Sequence, residues 1–326
     1  MAKLNMVQAI NLALAQEMQR DETVLVMGQD VGVDGGVFRA TEGLLERFGP
    51  RRVLDTPLAE SGIVGGGVGM ALAGLRPVCE MQFSGFSYMM MGQFEAHVTR
   101  LRARTLGQLH LPMVIRMPYG GGVRALEHHS ESREVLYAHQ PGARVVIPST
   151  PRNARALLAA AIRDPDPVVF MEPKHSYRAF REEVPEQEEI LPIGKAQVVQ
   201  EGTDLTLISW GAMMRPTLKA AAKVEKERGA GIEIIDLLTI APMDHETIVR
   251  SVTKTGRCVV VQEAPRSFGP SSEITAVIND QAFLYLEAPV KRLTGYDVVT
   301  PYFGREKSYL PDVDKVARGI AETLDF

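Results

Sequence analysis

The sequence predicts an α/β fold of two consecutive domains, each built on a mainly parallel sheet covered by helices. Short continuous apolar runs alternate with stretches of helical periodicity, the pattern of strands buried on both faces. That alternation breaks once, at an acidic, non-periodic stretch from Glu182 to Glu189 containing Pro185, and then restarts. The chain has 326 residues, long for one core and comfortable for two domains of about 100–200 residues. The expected division is a first domain at 1–185, a linker at 186–200 and a second domain at 201–326.

The elements follow in order. Apolar residues at helical spacing place a helix at Met6–Gln19, and the run Val24–Met27 reads as a strand ending at Gly28. Gly32–Gly36 is a loop and Thr41–Phe48 a helix. A long apolar helix follows Ser61, then a strand at Pro77–Phe83. Tyr88–Thr105 reads as one mixed helix and Met113–Met117 as a strand. Beyond a triple-glycine loop come a short helix near Glu131–His139, the strand Arg144–Pro148, the helix Asn153–Arg163 and the strand Val168–Glu172. After the acidic break the expected strands are Leu205–Trp210, Ile232–Leu237, Cys258–Glu263 and Val290–Thr294. Helices at Pro216–Arg228, Asp244–Val252 and Ser272–Asp280, and one from Asp314, alternate with them.

Bulk properties exclude several function classes. The chain is 45% apolar and 23% charged, with a net charge of −4 and a pI near 6. Neither nucleic acid nor an anionic membrane is an expected partner, and there is no basic run to track phosphates. No stretch approaches the roughly 18 consecutive apolar residues of a membrane span. Cys79 and Cys258 lie in apolar runs and are expected to be buried free thiols. With no signal-peptide or transit-peptide pattern at the N-terminus, a cytoplasmic protein is expected.

The segment Leu58–Leu75 is glycine-rich and invites a dinucleotide-binding reading, but its spacing fails. Starting from Gly65 and Gly67 the third glycine position is Met70, and from Gly67 and Gly69 it is Leu72. A core helix whose small residues admit a neighbouring backbone accounts for the glycines. It does not account for Glu60, a lone carboxylate at the mouth of an apolar helix, with no charged residue after it until Arg76. Helix N-termini favour carboxylates, so a capping role is one reading. A proton-transfer group is the other, because a dry setting disfavours the charged form of a carboxyl.

At these residues the sequence resembles a known family. Asp55-Thr-Pro-Leu-Ala-Glu60-Ser-Gly, followed by Gly74-Leu-Arg-Pro-Val-Cys-Glu-Met-Gln82-Phe, is similar to the pyrimidine-binding domain of beta subunits of thiamine-diphosphate-dependent 2-oxoacid dehydrogenases. The likeness runs through Gly35-Gly-Val-Phe-Arg-Ala-Thr-Glu-Gly-Leu, Gly120-Gly-Gly-Val, His129-Ser, His139-Gln-Pro-Gly and Val146-Ile-Pro-Ser-Thr-Pro. It continues in Asp236-Leu-Leu-Thr-Ile-Ala-Pro and Lys254-Thr-Gly-Arg, so it covers essentially the whole chain.

The resemblance implies a role for each matching residue. Glu60 would hydrogen-bond a ring nitrogen of the cofactor's aminopyrimidine, favouring the imino tautomer that deprotonates the thiazolium carbon. Phe86 would stack on the aminopyrimidine, although read alone it is a core residue, and Gln82 would be a polar neighbour of the cofactor. His129 would contact the substrate or the incoming lipoyl group. The tandem His128-His129 is not a zinc site, because adjacent residues face apart and no thiol or further histidine lies at ligand spacing. A potassium site would form from Met113, Ala161, Ile162, Asp164 and Asp166, although relatives often carry asparagine at the Asp166 position. Without the family, that loop is a helix end and a turn.

A Gly-Asp-Gly motif with its later asparagine, which anchors the diphosphate through magnesium in this cofactor class, is missing. The resemblance therefore implies an alpha subunit that binds Mg2+ and the diphosphate, in an α2β2 heterotetramer. It also implies a dihydrolipoyl acyltransferase partner and a second domain like the transketolase C-terminal domain. The implied reaction is oxidative decarboxylation of a 2-oxoacid with reductive acylation of lipoyl. Pyruvate is preferred because of Phe86, where branched-chain relatives often carry tyrosine; a branched-chain or acetoin enzyme is the alternative. A self-sufficient transketolase-like enzyme and a non-catalytic assembly subunit are the rivals from other classes.

Overall fold

The computed structural model describes residues 2–326, which divide into two compact units. The first comprises 2–119 and 136–193, the second 120–135 and 194–326. The 120–135 segment thus belongs to the second unit although it lies within the span read as the first domain.

In the first unit the strands are β1 (Ala2–Leu4), β2 (Val24–Gly28), β3 (Val53–Asp55), β4 (Arg76–Glu80), β5 (Val114–Tyr119), β6 (Arg144–Val146), β7 (Val168–Pro173) and β8 (Glu182–Val184). The order β6-β7-β5-β4-β2-β3 is parallel throughout, and β1 pairs with β8 antiparallel. Every residue of β2, β5 and β7 is buried, as continuous apolar strands in a covered sheet must be. Helices Met6–Arg20 and Pro151–Arg163 pack on one another. The first is capped by Asn5 in a reciprocal box with Gln8, the second by Thr150 with Pro151 in its first turn.

The second unit carries β9 (Gln197–Gln200), β10 (Leu205–Ser209), β11 (Ile232–Asp236), the short β12 (Thr239–Ala241), β13 (Cys258–Val261) and β14 (Lys291–Leu293). Its sheet runs β14-β13-β10-β11-β9, parallel except for β9. Helices Met214–Arg228 and Val313–Leu324 cover it over a core that includes Leu207, Ile234, Val259 and Ile320.

Several expectations need correction. Tyr88–Thr105 is not one helix. It is a 3₁₀ turn at Ser84–Met90, a helical turn at Met91–Gln93, a π-turn at Phe94–Val98 and a short helix at Leu101–Arg104. Gly92 weakens the helix there, and Phe94 is drawn fully inside against the edge of Tyr137 at 5.5 Å. The helix expected from Thr41 begins at Leu44, because Gly43 before it has φ +76°. β9 lies inside the span read as a linker. β1, β3, β8, β9 and β12, three or four residues each, are too short for periodicity to reveal. Among the described residues no helix is long and apolar enough to cross a membrane.

Candidate active site

In an open parallel sheet, ligands bind beyond the carboxyl ends of the strands. Three neighbouring strands of the first unit, β4, β2 and β3, are followed there by Gln82, Asp30 and Glu60.

Glu60 is the first residue of the helix Glu60–Leu72, and the preceding Ala59 provides no side-chain cap. The residue is 8% exposed, and its carboxylate makes no hydrogen bond or ion pair among the described residues. With no protein partner, the carboxylate is left available to a ligand that can complete its hydrogen bonds. The glycines behind it set how closely the helix lies on the sheet. A Cβ on Gly67 would sit 2.6 Å from Cys79 Sγ and 3.0 Å from Met113 Cε, so the helix backbone rests directly on the strands. Both cysteines are free and buried, and burial pushes the Cys79 thiol up to about 12.

Gln82 donates from Nε2 to Asp30 Oδ2 at 2.8 Å, which fixes the amide and leaves Oε1 to accept. Phe86 is half-buried in the Ser84–Met90 turn, which packs against the Glu60 helix. Its ring meets Phe83 edge-on at 5.7 Å, and Phe83 meets Phe38 at 5.5 Å. The Gly32–Gly36 loop is pinned by Asp55, which accepts the N–H groups of Gly32 (2.6 Å) and Val33 (3.0 Å).

Beneath these residues lies a buried ion network that sequence reasoning missed. Arg116 of β5, 1% exposed, makes two parallel hydrogen bonds to Glu172, Nε to Oε1 and Nη2 to Oε2, each 2.7 Å. It also pairs with Glu80, and the Tyr177 hydroxyl donates to Glu172 Oε2 at 2.5 Å. Burial opposes the charge on Arg116, but Glu172 outweighs it and holds the guanidinium above its ordinary pKa. Burial first, and then Glu172, push the Tyr177 phenol well up. Charged residues inside otherwise apolar strands, Val-Ile-Arg116-Met and Phe-Met-Glu172-Pro, were the available signal.

His129 belongs to the second unit, on the single turn Glu127–His129, and is half-buried; His128 is exposed and contacts Glu127 Oε1 at 3.1 Å. Among the described residues no group of three or more His, Cys, Asp or Glu is placed to hold a metal. Further along the same segment Glu134 is 1% exposed and touches Trp210 Nε1 at 3.4 Å. Burial, and to a lesser extent the charge of Glu263, push its pKa from 4.5 up to about 7. This raised carboxyl stabilises the fold fully below pH 4.5, and that contribution is lost as the pH climbs through about 7. The loss amounts to about 3 kcal/mol. Glu134→Gln is therefore expected to match the parent at pH 4 and to exceed its stability at pH 8, as urea unfolding at both pH values will show.

The residues expected to hold potassium come together as a helix end. Ala161 and Ile162 lie in the last turn of Pro151–Arg163, Asp164 caps it, and Asp164 Oδ1 accepts the Asp166 N–H at 2.9 Å. The Met113 carbonyl accepts from Val168 at 3.0 Å. Arginines crowd the loop: Arg76 donates to the carbonyls of Ile162 (2.9 Å) and Asp164 (3.3 Å), while Arg144 and Arg102 pair with Asp164 and Asp166. One carboxylate oxygen, Asp166 Oδ1, is buried without a hydrogen bond. That oxygen lies 3.9 Å from His110 Nδ1; the negative end of the helix favours a monovalent cation beside it, while the three arginines oppose one.

The whole chain has known relatives. The model of the transketolase pyrimidine-binding domain matches residues 2–179, and that of the transketolase C-terminal domain matches 194–316. The chain is 51% identical to the pyruvate dehydrogenase E1 component subunit beta of Bacillus subtilis (strain 168), over 100% of both chains. It is also 51% identical to that of Acholeplasma laidlawii, over 97% of each. A solved structure described as a split gene transketolase, inactive beta4 tetramer, superposes with a TM-score of 0.81 and covers 99% of both chains at 20% identity, a likeness of fold. The chain belongs to the family of pyruvate dehydrogenase E1 component beta subunits.

Proposed function

We propose that this chain provides the pyrimidine-binding half of a thiamine diphosphate site for the oxidative decarboxylation of pyruvate and the reductive acetylation of lipoyl on a dihydrolipoyl acyltransferase. The observation that carries the proposal is Glu60, a buried carboxylate with no partner of its own at the carboxyl edge of a parallel sheet. When bound, the cofactor supplies the carbanion chemistry, which no amino-acid side chain provides. Glu60 hydrogen-bonds a pyrimidine ring nitrogen, and a hydrogen bond to an ionisable group is stronger than one between neutral groups. Gln82, oriented by Asp30, accepts from the ligand through Oε1, and the Phe86 ring gives an apolar face. His129 contacts the substrate or the lipoyl group.

Magnesium and the diphosphate are assigned to an alpha subunit, because the sequence lacks the Gly-Asp-Gly anchor. The proposed assembly is an α2β2 heterotetramer in the cytoplasm. Calorimetric titration tests it: thiamine diphosphate with Mg2+ is expected to bind the mixture of chains and neither chain alone. Tight binding to this chain alone would overturn the shared site. Potassium is proposed at the Ala161–Asp166 loop. Exchanging potassium for sodium at equal ionic strength is then expected to lower the unfolding temperature by about 2–4 °C, and Asp166→Ala to abolish the difference.

A further inference from the structure

The loop that carries His129 leaves its apolar side chains Val123 and Leu126 44% and 49% exposed, so they hold it weakly. Its backbone is instead tied to buried carboxylates of the same unit. Glu263, 6% exposed, accepts the N–H of Gly121 at 2.6 Å. Glu306, 3% exposed, accepts the N–H of Gly122 on Oε1 at 2.8 Å and that of Arg124 on Oε2 at 3.1 Å. Gly120, Gly122 and Arg124 all have positive φ, the backbone that turns these N–H groups inward. A side chain on Gly120 would lie 2.6 Å from Glu263 Oε1, so glycine is what leaves room for that carboxylate. At the base of the loop the Gly120 N–H donates to the Glu131 carbonyl at 3.1 Å, and Tyr302 bonds Glu127. The turn Glu127–His129 lies between these ties. Burying two carboxylates is costly unless their hydrogen bonds are made, and here the bonds are made to the loop backbone.

We propose that Glu306 and Glu263 are positioning residues for His129, acting on the chemistry through the loop that carries it. This rests on the reading of His129 as a group that touches substrate or lipoyl. The test uses the enzyme assembled with its alpha subunit, with lipoyl acetylation as the readout, and combines Glu306→Gln with His129→Ala in a double-mutant cycle. The amide loses one of two charge-assisted bonds, so Glu306→Gln is expected to slow lipoyl acetylation about tenfold when His129 is present. In the His129→Ala background it should change the rate less than about twofold. An equal loss in both backgrounds means a general structural role and overturns the proposal.

Tryptic cleavage at the exposed Arg124 reads the tether itself. It should accelerate in Glu306→Gln, and unchanged cleavage also overturns the proposal. If His129→Ala leaves the rate unchanged while cleavage accelerates, the loop tether stands but the reading of His129 fails, and the positioning role falls with it. Glu263→Gln, which weakens the same loop at Gly121, serves as the second variant and should repeat the pattern.

Discussion

Replacing Arg116 with methionine is expected to destabilise the chain by about 3–5 kcal/mol. The side chain is 1% exposed and neutralises two carboxylates, Glu80 at 5% and Glu172 at 0% exposure. Removing it strands both charges in a medium that cannot solvate them, which costs far more than the pair contributes when intact. Adding Glu172→Gln to Arg116→Met is expected to recover part of the loss, since one stranded charge disappears. The effect should also reach the candidate site, because Glu80 precedes Gln82 by two residues and its carboxylate lies against Gly36, where a Cβ would be 3.5 Å from Glu80 Oε1. Urea unfolding of the three proteins measures it. A loss below about 1 kcal/mol for Arg116→Met would contradict a buried, charged network.

Glu60→Gln is expected to reduce decarboxylation about 10²–10⁴-fold in the assembled enzyme, the usual contribution of a positioned proton-transfer group. The amide matches the carboxyl in size but cannot hold or release the proton. Stability should change little, because the carboxylate has no protein partner to lose. A fall in rate with an unchanged unfolding curve therefore identifies chemistry, whereas parallel losses would identify a structural cap.

The fold was legible wherever the chain wrote it over enough residues. Val24–Met27, Val168–Glu172 and Cys258–Val261 declare a covered parallel sheet through unbroken apolar runs, and the structure has them there. Strands such as Val53–Asp55 and Gln197–Gln200 are set by their neighbours in the sheet rather than by local pattern. The broken helix after Tyr88 was hidden for a related reason. Its periodicity is helical, but burial of Phe94 overrides it.

The candidate site was legible only in part. Glu60 stood out as a lone charge in an apolar stretch, and motif resemblance supplied Gln82, Phe86 and His129. No local pattern joins Arg116 to Glu172, or Glu306 to Gly122, because those partners are 56 and 184 residues apart. Such pairs become visible only once the topology has brought them together.

The most direct measurement is decarboxylation by this chain mixed with its alpha subunit, thiamine diphosphate and magnesium, with pyruvate and 3-methyl-2-oxobutanoate compared side by side. Activity is expected only in the mixture, and higher with pyruvate. Equal activity from this chain alone would contradict a site shared between subunits, and a preference for the branched substrate would contradict pyruvate as its substrate.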